Sequence, residues 1–211
     1  MPPRSVFKLL LLFAHLLGTS LALGAIVATD IRLLRRLADD RVRIAPPNPY
    51  VMRLIALALL VLFVTGSAML LIGIDERADF LSANPKLQAK LILVAVLAIN
   101  ALVLHRFTFP GLARGRRVAR WKPLDFLRVA VPVALSNSLW MYCAFLGIAR
   151  PWNYNTSMEF VLGTAVWLFA ATLAIVTSLL VIAAQDRTGA EPGWIDALKR
   201  RLGALAAALR A

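Results

Sequence analysis

The segment Met158–Ala184, MEFVLGTAVWLFAATLAIVTSLLVIAA, contains a single charged residue, Glu159. An α-helix rises about 1.5 Å per residue, so roughly 20 apolar residues cross the ~30 Å hydrocarbon core of a bilayer. Apolar runs of this length are typical of membrane spans and not of soluble domains. The segment therefore predicts a transmembrane helix.

Four further runs pass the same length test. The chain has 211 residues, 60% of them hydrophobic and 17% charged, with a mean hydropathy of +0.75, which lies outside the usual range of soluble domains. We therefore expect an all-α integral membrane protein, with one transmembrane domain over residues 1–184 and a tail over residues 185–211. The five predicted spans are about residues 6–28, 51–73, 87–109, 127–148 and 158–184.

Lysine and arginine are concentrated in three of the six segments that flank the runs. Residues 29–50, 106–126 and 185–211 hold sixteen of them, whereas the other three segments together hold five. Because basic residues are retained on the cytoplasmic side, this distribution predicts an outside N-terminus and a cytoplasmic C-terminus. The net charge of +13 follows the loops, so we do not expect nucleic acid as a partner.

The first run also resembles a signal peptide. Arg4 and Lys8 precede an apolar stretch that ends in small residues near Ala22 and Ala25. The run continues, however, into the basic sequence IRLLRR at residues 31–36, which would act as a stop-transfer signal. We expect the segment to be retained as the first span.

The tail has the pattern of an amphipathic helix. After Pro192 and Gly193, apolar residues recur at helical spacing, with Lys199 and Arg200 on the other face. This pattern predicts an interfacial helix on the cytoplasmic leaflet, attracted by anionic lipid. Docking on the protein's own loops would explain the same pattern. The apolar face consists of Trp194 or Ile195, Leu198, Leu202, Leu205 and Leu209.

Both histidines of the chain, His15 and His105, fall inside apolar runs. An ionisable ring in hydrocarbon is a functional-site hypothesis by default, and imidazole is a common ligand of metals and haem. The predicted topology puts His15 in the outer half and His105 near the cytoplasmic side, with about 15 Å between their depths. The two rings are therefore too far apart to ligate one iron within a protomer, and we treat them as two sites.

Soft side chains share the outer half with His15. Imidazole, thioether and thiolate groups suit copper, and histidine with methionine is a known haem axial pair. His15 is the predicted main cofactor ligand, and His105 is a candidate ligand on the cytoplasmic side. Met141 or Met158 is the candidate second cofactor ligand, and His15 with Met69 and Cys143 is the candidate metal set.

Packing explains the same histidines without a cofactor. His15 shares a helix face with Gly18, Thr19 and Ala22, which would let a neighbouring helix approach closely while the ring is hydrogen-bonded to it. These small residues would equally leave a slot for a flat macrocycle. His105 has structural alternatives too, as an interfacial group or as a partner for Asp30.

Other residues in and beside the runs have structural interpretations. The amide of Asn100 needs an interhelical hydrogen bond, because an unpaired amide is costly in an apolar environment. Pro132 removes one backbone hydrogen bond from the fourth run and should kink it. Asn84 is expected to cap the third helix, with Pro85 in its first turn.

Short motifs over the first 110 residues are similar to those of a known group. They are His15-Leu-Leu-Gly18, Asp30-Ile-Arg32-Leu-Leu-Arg35-Arg36, and Asn84-Pro85-Lys86…Lys90 leading to Asn100…His105-Arg106. With these motifs the chain resembles small bacterial membrane proteins related to the copper-resistance D (CopD-like) group. The resemblance implies a bacterial cytoplasmic membrane and helix-borne histidines that handle haem b or copper.

We therefore expect a small inner-membrane protein that binds haem or a transition metal, for electron transfer or metal handling. The sequence has no phosphate loop and no HExxH, CxxC or GxSxG motif, so an enzyme is not the expected class. The alternative is a cofactor-free membrane module, acting as a partner subunit or small transporter, with structural or proton-relay histidines. Either class is compatible with a membrane partner subunit or a homo-oligomer.

Overall fold

A computed structural model describes residues 3–37, 44–113, 118, 121–184 and 193–208. Within these residues all regular secondary structure is helical, and five helices are long and apolar enough to cross a membrane, as the sequence predicts. The third spanning helix, Pro85–Ala113, contains a π-helical turn. In chain order the elements are α1 (Pro3–Leu37), α2 (Pro49–Glu76), α3 (Pro85–Val103), the π turn (Leu104–Thr108), α4 (Phe109–Ala113), α5 (Pro123–Ile148), a 3-10 turn (Arg150–Trp152), α6 (Met158–Ala184) and α7 (Gly193–Ala208).

Asn–Pro pairs set the starts of α2 and α3. The side chain of Asn48 accepts a hydrogen bond from the backbone N–H of Tyr50 at 2.9 Å, and Asn84 accepts one from Leu87 at 3.1 Å. Each asparagine satisfies an N–H that has no partner within the helix, and the following proline has no N–H to satisfy. The predicted cap at Asn84 is confirmed.

The spanning helices alternate in direction. The start of α1 meets the end of α2, where Lys8 forms an ion pair with Glu76. The start of α3 meets the end of α5, where Lys86 Nζ donates to the carbonyls of Leu146 at 3.0 Å and Ala149 at 2.9 Å. We call this the first end of the bundle, and the end at which α1 finishes the second end.

Loops at the first end also contact one another. Arg77 donates to the carboxylate of Asp79 at 2.9 Å, and its guanidinium carbon lies 5.5 Å from the ring centre of Tyr154 in the α5–α6 connection. The hydrogen bonds from Arg77 hold the pKa of the exposed Asp79 carboxyl below its usual range. The contact between Arg77 and Tyr154 therefore links the α2–α3 loop to the α5–α6 connection.

The five helices form two groups. One is the α1–α2 hairpin, in which Val61 and Leu62 of α2 fill the space beside Gly18 of α1, 3.4–3.5 Å from where a Cβ would stand. The other consists of α3, α5 and α6, and close contacts between the two groups are sparse. One apolar cluster, including Ala22, Leu97 and Leu146, joins the groups, and a second, including Ile44 and Phe126, lies towards the second end.

The α7 helix contacts the bundle through Trp194. The indole N–H of Trp194 donates to the carbonyl of Trp121 at 3.3 Å, and its ring lies edge-on to Phe126 with 5.4 Å between centroids. Leu198 and Leu202, further along α7, are about half exposed. The start of α7 thus docks on the bundle, while the described part of the chain covers only about half of Leu198 and Leu202.

Candidate functional site

A cavity of about 580 Å³ lies between the two helix groups, towards the second end of the bundle. All five spanning helices line it, together with the segment 44–48 that leads into α2. Most of its wall is aliphatic or aromatic, from Leu59 on α2 and Leu97 on α3 to Leu180 on α6. Its size and apolar lining are those of sites that hold small molecules and cofactors in proteins.

A few polar groups interrupt this apolar wall. The carboxyl of Asp30, near the end of α1, interacts with the side-chain amide of Asn137 on α5, so this pair links the two helix groups. The hydroxyls of Thr29 and Thr172 also line the cavity, but each donates to a carbonyl of its own helix, at 2.8 Å in both cases. The other polar side chains that α1 and α5 contribute to the wall are Asp30, Arg32, Ser136 and Asn137.

His105 lines the cavity from the π turn. Its ring is exposed and lies edge-on to Phe109 with 5.3 Å between ring centres. Among the described residues no protein group forms a hydrogen bond with its ring nitrogens, and Asp30 is paired with Asn137 instead. Met52, on α2, lines the cavity from the hairpin side. An imidazole and a thioether therefore both line this cavity.

The π turn aligns the third span with α5. Asn100 Nδ2 donates to the carbonyl of Pro132 at 2.9 Å, which confirms the predicted interhelical bond, and Thr108 Oγ1 donates to the carbonyl of Arg128 at 2.9 Å. Asn100 and Thr108 are eight residues apart, and in a regular α-helix their side chains would point in directions that differ by ~80°. A π turn accommodates one extra residue, which reduces this difference to ~20°. Both side chains can thus face α5, and π turns are frequent at functional sites.

His15 lies outside this cavity and is bonded within the hairpin. Its Nδ1 is 2.9 Å from Thr65 Oγ1, and that hydroxyl is 2.6 Å from the carbonyl of Val61. A hydroxyl has one proton, so if Thr65 donates it to Val61, Nδ1 must carry the ring proton. Neutral His15 then keeps Nε2 unprotonated, and Gly66 gives the ring room, with 3.5 Å from its Cβ position to Cε1.

Lys90, on α3, belongs to the surroundings of His15 and Cys143. Its ammonium lies 3.6 Å from where a Cβ on Gly147 would stand, and it interacts electrostatically with both His15 and the buried Cys143. A positive charge at this point disfavours a metal cation, since like charges repel. Lys90 is therefore a basic side chain that acts electrostatically on two of the three members of the predicted metal set, His15 and Cys143.

The methionines predicted as ligands, Met141 and Met158 for a cofactor and Met69 for a metal, lie apart from the cavity. Met141 on α5 is 53% exposed, Met158 packs against the first apolar cluster, and Met69 is partly buried on α2. None of the three lines the cavity described above. Within the described part of the chain, no three His, Cys, Asp or Glu side chains are close enough together to hold a metal ion.

Sequence reasoning overlooked Lys90, Met52 and Asn137 as candidate site residues. Lys90 had a clear signal, because it is a charged residue within an apolar run, five positions after Pro85. Met52 and Asn137 had none, because methionine is a routine packing residue and a single asparagine does not identify its partner.

No family model, curated protein or solved structure matches this chain. The resemblance to the CopD-like group therefore stays a prediction from the motifs.

Proposed function

We propose that this chain is a multi-pass protein of a bacterial cytoplasmic membrane that holds haem b in the cavity and serves in electron transfer. The observation that carries the proposal is His105, an exposed residue whose imidazole has no described hydrogen-bond partner and which lines a cofactor-sized apolar cavity together with Met52. Histidine with methionine is an established axial pair for haem iron.

The rest of the cavity fits the same cofactor. Aliphatic and aromatic walls suit a flat macrocycle, and the guanidinium of Arg32, at the second end, can pair with a propionate. Haem supplies one-electron chemistry when bound, while the protein supplies the axial ligands and the degree of burial that set its potential. His105 and Met52 would hold the iron, and Arg32 would orient the ring.

His105 is a better ligand candidate than His15, and haem a better candidate than copper. His15 has Thr65 as a hydrogen-bond partner, and its helix face is filled by α2 at Gly18. The ammonium of Lys90 acts on both His15 and Cys143, which opposes a copper ion at either residue. Binding of haem by His105 would break no described hydrogen bond of its ring and would not involve the charge of Lys90.

The orientation of the bundle follows from its basic residues. The positive-inside rule supports a cytoplasmic second end, since α1 and the third span end there and lead into the arginine-rich segments 29–50 and 106–126. The cavity would then open towards the cytoplasmic half of the bilayer. Beyond Trp194, α7 would lie on the inner leaflet, with Leu198 and Leu202 in the interface and Arg200 and Arg201 near anionic headgroups.

Purification of the whole protein in mild detergent, followed by absorption spectroscopy and a pyridine haemochrome assay, tests the haem site. We expect a Soret band in the wild type that is lost in His105→Ala and kept in His15→Ala. Met52→Leu should keep the haem with an altered axial-ligand spectrum. A colourless wild-type protein would contradict the proposal and favour a cofactor-free module. A Soret band lost only in His15→Ala would show that His15, and not His105, binds the haem.

A further inference from the structure

Asp30 is a carboxyl group in the wall of the cavity whose described partner is a neutral amide. It is half-buried at the end of α1 and interacts with Asn137. Among the described residues it forms no ion pair, in contrast to Asp75 and Asp79, which pair with arginines at the first end. Asp30 is thus an acidic side chain in an apolar wall, without an ion-pair partner among the described residues.

The surroundings of Asp30 contain few groups that could change or balance its charge. The other charged or titratable side chains that line the cavity in the described chain are Arg32 on α1 and His105 on the π turn. Arg32 is exposed, its Nε donates to the carbonyl of Ala28 at 3.1 Å, and the rest of its guanidinium is the group proposed to pair with a haem propionate. His105 is already assigned to the proposed haem iron. Asp30 is left as the side chain of the wall that can gain or lose a proton.

A half-buried charge in an apolar wall interacts with a second charge more strongly than it would in water, because less solvent screens the pair. A cofactor that gains one electron becomes more negative by one unit, which disfavours a neighbouring carboxylate and favours the neutral acid. The amide of Asn137 can hydrogen-bond to either form, since it carries both a donor and an acceptor. The carboxyl of Asp30 would therefore keep an amide neighbour on α5 after it takes up a proton.

We propose that Asp30 is the proton acceptor of the cavity and takes up one proton when the bound haem is reduced by one electron. This inference rests on the proposed haem site. The electron comes from an external one-electron reductant, and the proton comes from water and forms an O–H bond on the Asp30 carboxylate. Oxidation releases both, so the net charge of the cavity is unchanged through the cycle.

Redox titration of the purified haem-loaded protein over a pH series tests this role. For a one-electron couple linked to one proton, the tenfold change in proton activity per pH unit converts to a change of about 59 mV in midpoint potential. We expect a slope approaching this value in the wild type and in Asp75→Asn, the exposed control at the first end. Asp30→Asn should bind haem with a potential that no longer depends on pH, and Asp30→Glu should restore the slope.

Redox-difference infrared spectroscopy adds a readout that a merely structural role would not change. A protonated carboxyl band should appear on reduction of the wild type and be missing in Asp30→Asn. Haem binding with an unchanged slope in Asp30→Asn, or a wild-type potential independent of pH, would overturn the role of Asp30 and leave the haem site intact. Absence of haem from the wild type would instead overturn the proposed function, and this inference with it.

Discussion

Thr108 Oγ1 donates a hydrogen bond at 2.9 Å to the backbone carbonyl of Arg128. In an unbroken α-helix that carbonyl would accept from residue 132, but residue 132 is a proline and has no N–H. The π turn of the third span therefore supplies the donor that α5 lacks. One residue of the cavity-lining segment thus compensates for a defect in the helix beside it.

Thr108→Val should destabilise the protein, because it leaves the Arg128 carbonyl without this donor. Interhelical hydrogen bonds of this kind contribute about 0.6 kcal/mol on average and up to ~1.7 kcal/mol in a membrane protein. We expect a loss in that range from reversible unfolding in mixed micelles, with Thr108→Ser close to wild type. In a Pro132→Ala background, which restores the backbone N–H, the cost of Thr108→Val should fall. An equal cost in both backgrounds would show that the two residues are not coupled.

Lys86→Met should weaken the first end of the bundle. The ammonium of Lys86 is buried and donates to two carbonyls at the end of α5, those of Leu146 and the capping residue Ala149. Leaving buried acceptors unpaired costs about 1–3 kcal/mol. The matched control is Lys90→Met, one turn further along α3, whose ammonium forms no hydrogen bond with the described residues. A control loss as large as that of Lys86→Met in the same unfolding assay would contradict the capping role.

Gly73→Ala should disturb the packing of the α2–α3 loop. A Cβ at Gly73 would stand 2.5 Å from Cε1 of Phe80, so the ring must move. Overpacking of this kind costs about 1–3 kcal/mol. Gly24→Ala, where no atom lies within 4 Å of the new Cβ, should be neutral in thermal unfolding monitored by circular dichroism. Replacing Phe80 by Leu should relieve the penalty at Gly73, and a neutral Gly73→Ala would show that the ring has room to move.

Cysteine labelling in intact cells checks the orientation. In a Cys143→Ala background, Asn155→Cys places a thiol at the first end and Lys122→Cys places one at the second end; both positions are exposed. If basic residues set the topology, a membrane-impermeant maleimide labels the first variant in intact cells and the second only after permeabilisation. The reverse pattern would invert the bundle.

Spin labels on α7 check its position at the bilayer surface. Leu198→Cys and Leu202→Cys should give labels accessible to oxygen, which dissolves in lipid, while Arg200→Cys gives one accessible to a water-soluble relaxation agent. The contrast should be greater in nanodiscs containing anionic lipid than in neutral ones, because the basic face is drawn to the headgroups. Equal accessibility at all three positions would indicate that α7 does not lie on the membrane.

Much of the architecture could be predicted from local signals in the chain. Five apolar runs gave five long helices, and the Asn84–Pro85 pair gave the start of α3. The amide of Asn100 was expected to need a partner on another helix, and it bonds to the carbonyl of Pro132. Each of these features follows from the length or chemistry of one short segment.

The candidate site could be predicted only in part. His105 was a candidate from its residue type and place in an apolar run, and it lines the cavity. The roles of Met52 and Asn137, and the interaction of Asp30 with Asn137, were not predicted. They depend on α1, α2 and α5 lining one cavity, although these helices are far apart in the chain. Sequence spacing does not report such contacts.

The sequence by itself determined that this chain forms apolar helices, where they begin, and which ionisable residues they carry, because length, hydropathy and capping act within a helix. Only the tertiary structure decided that His105 borders a cavity while His15 packs against α2. A helix that is apolar all round has no sequence pattern to mark its packed face. Which polar residues meet is therefore settled when the helices assemble.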